Sequence, residues 1–101
     1  MDPTTTARCR QRGCVNYGLW HSARDTSHRF RTVHTALAAV TVEKVEESDP
    51  WTVWMAPHGE AKVGPLLAPP VAAPGTSHED YMELRSAVNY ALSTATRFNA
   101  P

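Results

Sequence analysis

No stretch of this 101-residue chain approaches the ~18 consecutive apolar residues that a membrane-crossing helix needs. The first ten residues, MDPTTTARCR, lack the apolar run of a secretory signal. Both absences predict a cytoplasmic protein. There are only two cysteines, too few for a disulfide framework. In a reducing compartment two cysteines read as metal ligands or thiols rather than as a disulfide. The chain has no phosphate-binding loop, no dinucleotide fingerprint and no HExxH pair. Neither cysteine follows a strand-to-helix elbow, so a Cys–His nucleophile has no scaffold. These gaps predict a protein that is not an enzyme. The formal net charge is zero, which removes an overall excess of either sign.

That zero hides two opposed halves. Up to His34 the chain carries six arginines (Arg8, Arg10, Arg12, Arg24, Arg29, Arg31) against Asp2 and Asp25. From Thr35 onward, Lys44, Lys62, Arg85 and Arg97 face eight carboxylates: Glu43, Glu46, Glu47, Asp49, Glu60, Glu79, Asp80 and Glu83. The head is therefore about +4 and the body about −4. Two readings follow. The head docks on its own body, or it meets an anionic partner.

The length suits one domain, expected over 9–101 after a disordered lead-in at 1–8. Eight prolines and five glycines limit the regular structure, so a metal staple would help a core of this size. Residues 9–34 form a head with few large apolar side chains: Val15, Tyr17, Leu19, Trp20, Phe30 and Val33. That is too little to fold separately. It does carry a spaced set of ligand types, Cys9-x4-Cys14-x6-His21-x6-His28-x5-His34. Zinc wants four nitrogen or sulfur ligands in a tetrahedron, and a cysteine loop can supply one edge of it. Gly13 before Cys14 gives that loop backbone freedom. The expected ligands are Cys9, Cys14, His21 and His34. His34 is chosen because it opens the first strand, and Trp20 would shield His21. His28, in the polar run RDTSHRFR, reads as more exposed and is the substitute.

Residues 35–67 read as a three-stranded antiparallel meander. LAAVTVEKVEE is rich in β-branched residues, which outweighs a helical spacing of Phe30, Val33, Leu37 and Val40. SDP (48–50) and PHGE (57–60) are turns, which makes His58 a hairpin residue rather than a catalytic one. In WTVWMA (51–56), Trp51, Val53 and Met55 share one face and Trp54 the other. AKVGPLL supplies the third strand. APPVAAPG (68–75) is an extended Pro/Ala connector. A helix over 76–98 follows, capped by Thr76 or Ser77. Its stripe is Tyr81, Leu84, Val88, Ala91, Leu92, Ala95 and Phe98, expected to pack on the sheet. Glu79 and Glu83 read as solvated surface, so Glu83→Ala should do little. The fold class is α+β: an N-terminal zinc knuckle, a meander and one C-terminal helix.

The order of Cys9 and Cys14, VHTALAAVTVE, PWTVWMA and YMELRSAVNYAL resembles a group of small zinc-knuckle-like proteins of actinobacteria and their phages, of unknown function. The resemblance spans most of the chain. It implies the same head, strand pair and helix, and it implies no activity. In that group the helix follows the last strand closely, whereas here LAPPVAAPGTS intervenes.

The functional expectation is a small binding or regulatory protein with a structural zinc, acting on a protein partner, as a phage-type inhibitor of a host protein would. Trp54, on the face away from the helix, needs cover from the head or from a second molecule, and a second copy there would make a dimer. Arg10, Arg12, Trp20 and Trp54 are the partner-binding candidates. The alternative is a nucleic-acid module in which those arginines grip phosphates and Tyr17 and Trp20 stack on bases. The −4 body would keep such binding weak.

Overall fold

The computed structural model describes residues 6–8, 14, 20–22, 28–46 and 48–101. Its architecture is α+β: antiparallel strands and one C-terminal helix. β1 (Thr6–Arg8) pairs with β2 (Trp20–Ser22) in a two-stranded ribbon. The main sheet holds β3 (His28–Arg29), β4 (Val33–His34), β5 (Ala38–Lys44), β6 (Thr52–Pro57) and β7 (Val63–Leu66). β5, β6 and β7 run as the expected meander, and β3 and β4 both pair with the free side of β5. α1 (His78–Asn99) packs across β5 and β6.

The described N-terminal residues differ from the expected boundaries in three places. Residues 6–8 of the expected lead-in form a strand, and 1–5 lie outside the described residues. Residues 28–34 do not stand apart in the head: β3 and β4 together form one edge of the main sheet. His34 therefore does not open the first meander strand; it ends the edge segment before it. Between the pairs Arg29↔Glu43 and Val33↔Val40 the edge advances four residues against three on β5. One extra residue makes a bulge there, with the Phe30 N–H still bonded to the Val42 carbonyl at 2.8 Å. The cross-strand ladder explains why a head poor in apolar residues is ordered here: its backbone polar groups pair with an existing strand.

Alternation on β5 decides the core. Ala38, Val40, Val42 and Lys44 face the helix, and the intervening residues face the other way. Trp51 and Val53 are buried on the same side, as their spacing predicted, and Met55 is half-buried. From α1, Leu84, Val88, Ala91 and Ala95 meet them. The helix also buries Ala87 and Thr94, which the apolar stripe did not include. Small side chains carry little hydrophobic signal, yet they let a helix approach a sheet closely. The cap is Ser77, whose hydroxyl accepts from the Asp80 N–H at 3.1 Å.

The far end of the helix is tied down by aromatics and by one amide. Phe98 meets Phe30 and Trp51 edge-on, each at a centroid distance of 5.2 Å. Asn99 Oδ1 accepts from the Trp51 N–H at 2.7 Å, and its Nδ2 donates to the Trp51 carbonyl at 2.9 Å. Near the helix start, the Glu83 carboxylate accepts from the Ala36 N–H at 2.8 Å. Glu83 is thus exposed, as expected, and also tethers the helix to the turn before β5. Leu84→Ala is expected to cost about 2–4 kcal/mol, because it empties part of the core. Glu83→Ala should cost about 0.5–1.5 kcal/mol, the worth of one hydrogen bond. Urea unfolding of both variants checks this ordering, and equal losses would contradict the packing described.

Candidate functional site

Among the described residues a concavity lies where the sheet, the Pro/Ala connector and the start of α1 meet. Its volume is about 320 Å³. Leu37, Met55 and Leu84 line it from the core side, and Pro70, Val71 and Ala73 line it from the connector. Tyr81, His58, Glu60 and Thr76 complete the lining.

Each wall is held by local chemistry. The Thr35 hydroxyl donates to the Ala38 carbonyl at 2.8 Å and accepts from the Leu37 and Ala38 N–H groups. That fixes the turn carrying Leu37. Opposite, the 57–60 turn closes with the Glu60 N–H on the Pro57 carbonyl at 3.0 Å, with Gly59 at φ 77°. His58 joins the two turns. Its Nε2 lies 3.0 Å from the Thr35 carbonyl, and its N–H donates to the Leu37 carbonyl at 3.3 Å. The connector wall is pinned from the helix, because the Tyr81 hydroxyl donates to the Pro70 carbonyl at 3.0 Å. His58 is a hairpin residue, as expected, and also a brace.

The residues singled out in the sequence fall elsewhere. Cys9, Arg10 and Arg12 lie outside the described residues. Trp20 and His21 stand in β2, their backbones opposite Arg8 and Ala7. Cys14 is buried, 7% exposed, and joins the apolar cluster of the helix face. His28 is not an exposed residue: it is 3% exposed and sits opposite Lys44. Paired residues share a face, so His28 points to the helix side with Lys44. His34 pairs with Ala39, which belongs to the other face, and it is exposed. The two histidines are therefore on opposite sides of the sheet. Among the described residues no three His, Cys, Asp or Glu side chains converge on a metal-sized site.

Trp54 does lie away from the helix. Much of its cover comes from its own sheet. Lys62 Nζ sits 5.4 Å from the ring centroid, and Gly64 of β7 lies against the indole. Its Nε1 donates to Thr52 Oγ1 at 2.9 Å. Lys62 also bonds Glu43, at 2.9 Å to Oε2. Burial pushes the Glu43 pKa up. The Thr41 hydroxyl, the Lys62 ammonium and the Arg29 charge outweigh that and hold it below the usual 4.5. A lowered carboxylate pKa adds stability above the unfolded value and loses it as pH falls through the folded one. Glu43→Gln should thus lower stability near neutrality and erase part of the loss on acidification below about pH 4.5. Parallel urea titrations between pH 7 and pH 3 test it; identical pH profiles would refute the assignment.

The cleft was not among the sequence candidates. Its one sequence trace is Val71, the single large apolar residue in APPVAAPG. No known protein family matches the chain, and no curated protein or solved structure is significantly similar to it. Among the described residues no helix is long and apolar enough to cross a membrane.

Proposed function

We propose that this chain is a small non-enzymatic binding or regulatory protein that acts on a protein partner in the cytoplasm, as a phage-type inhibitor of a host protein would. The preformed apolar cleft carries the reading. Its polar rings are already engaged, His58 with the Thr35 carbonyl and Tyr81 with the Pro70 carbonyl. What remains at the mouth is mostly apolar wall, which suits docking of a side chain rather than acid–base chemistry. A photo-crosslinking residue at Val71, compared with one at Ser93 on the exposed helix face, tests this in producing cells. A discrete protein adduct from position 71 alone is expected. Equal or absent adducts at the two positions would remove the proposal.

A structural zinc in the head is part of the same reading. The spacing of Cys9, Cys14 and the three head histidines supports it. The ligands are Cys9, Cys14, His21 and His34 with His28 as substitute, and the shared side of His28 and the Cys14 cluster favours the substitute over His34. Cys9→Ser should abolish stoichiometric zinc while leaving α1 intact, and His34→Ala should leave the zinc content unchanged. Metal-free native protein would end the zinc proposal without touching the cleft.

A further inference from the structure

The two edges of the main sheet do not invite strand addition. β7 carries Pro65, which has no N–H to offer, and the opposite edge is bulged between β3 and β4. Recognition through side chains is left, and the cleft is the place for it. About 320 Å³ is near the lower end of ligand cavities, roughly 300–1,000 Å³. That is room for one large apolar side chain. Val71 on its wall and Leu67 nearby in the chain are each 92% exposed, so they add almost nothing to the core. Val71, exposed on the cavity wall, is open to contact with an occupant of the cleft.

The surroundings of the cleft are acidic. Glu60 lines it. Asp80 and Glu83 stand in the first two turns of α1, beside Tyr81 and Leu84 of the lining. Glu83 is held on Ala36, next to Leu37 of the lining. Among the described residues no lysine or arginine lines the cavity. Of the basic residues of the body, Lys62 is bound to Glu43, Lys44 is buried beside Trp51, and Arg97 is at the opposite end of the helix. Only Arg85 lies near the acidic end of α1. Among the described residues the charge around the cleft is thus mainly negative, which favours cations over polyanions.

We infer that the cleft seats a single large apolar side chain of a partner segment rich in lysine or arginine, an inference that rests on the protein-partner reading above. The anchor fills the space between Leu37, Met55, Leu84 and Val71. The flanking cations meet Glu60 and the carboxylates of the first helix turns. Nucleic acid does not fit this site, since its phosphates would face the same carboxylates.

Three blocked hexapeptides serve as probes: Lys-Lys-Leu-Phe-Lys-Lys, the same peptide with every lysine replaced by glutamate, and Lys-Lys-Ala-Ala-Lys-Lys. Binding is read from amide NMR shifts of the full chain. The first should shift Leu37, Val71 and Tyr81, with affinity about tenfold above the other two at low salt. Val71→Ser and Glu60→Lys, both at exposed positions, should each weaken it severalfold while the rest of the spectrum is retained. Equal binding of the glutamate peptide overturns the charge argument, and equal binding of the alanine peptide overturns the anchor. Shifts centred on Trp54, or no shifts with any peptide, overturn the site. If the glutamate peptide wins while position 71 still crosslinks a protein, the inference fails and the partner reading stands. If the first peptide binds as expected but no protein crosslinks, the partner reading fails and only the chemical preference of the cleft stands.

Discussion

Trp51→Ala is expected to destabilise the fold by about 3–5 kcal/mol, a large share of the ~5–15 kcal/mol that holds a typical native protein together. Trp51 is 4% exposed and is the largest buried side chain of the helix–sheet interface. It meets Phe98 at 5.2 Å, and the Lys44 ammonium lies 5.7 Å from its ring. Removing the indole takes contacts from both. The vacated space cannot close easily, because Asn99 grips the Trp51 N–H and carbonyl from the helix end. A site that cannot relax sits at the costly end of such substitutions. Trp51→Phe should recover much of the loss by refilling the space. Urea unfolding followed by far-ultraviolet circular dichroism measures both variants. A loss below about 1 kcal/mol for Trp51→Ala would mean that the helix end is not anchored there.

Gly64→Ala should be comparably damaging, for a different reason. A β-carbon at Gly64 would stand 2.7 Å from Trp54 Cε3, 2.8 Å from Cδ2 and 2.9 Å from the Val53 carbonyl oxygen. The carbonyl belongs to the central strand and cannot retreat. The indole is restrained by Thr52 and Lys62. Overpacking of this kind costs about 1–3 kcal/mol. The backbone at φ 156° is unfavourable for a residue with a side chain and adds about 1–3 kcal/mol. Gly59→Ala is the control, since it has a positive φ but nothing within 4 Å of the new carbon. Combining Gly64→Ala with Trp54→Ala should restore part of the loss, because the steric partner is gone. A Gly64→Ala cost no greater than that of Gly59→Ala would refute the close approach.

Much of the fold was legible because it rests on periodicity. Val40, Val42, Trp51 and Val53 alternate, and Leu84, Val88, Ala91 and Ala95 recur at helical spacing. The 57–60 turn and the Ser77 cap were legible from local side-chain chemistry. The edge at 28–34 was not. HRFRTVH is short and rich in charge, and it becomes strand only because β5 offers it a ladder. The same dependence hid the burial of His28, whose polar neighbours in sequence say nothing about the face that β5 assigns to it.

The cleft was hidden for a related reason. Its lining comes from four separated stretches around Leu37, Met55, Val71 and Tyr81. None is unusual alone. What the amino-acid order settled by itself is what depends on near neighbours: strand alternation, helix stripe, caps, turns and the opposed charge of the two halves. The tertiary structure decided which carboxylate becomes a tether, which histidine faces the core and where an apolar cavity opens. Those outcomes depend on contacts such as Ala36 with Glu83 and Trp51 with Asn99, each between residues more than forty positions apart. A contact of that range is set by the packing of helix on sheet, and no local pattern encodes it.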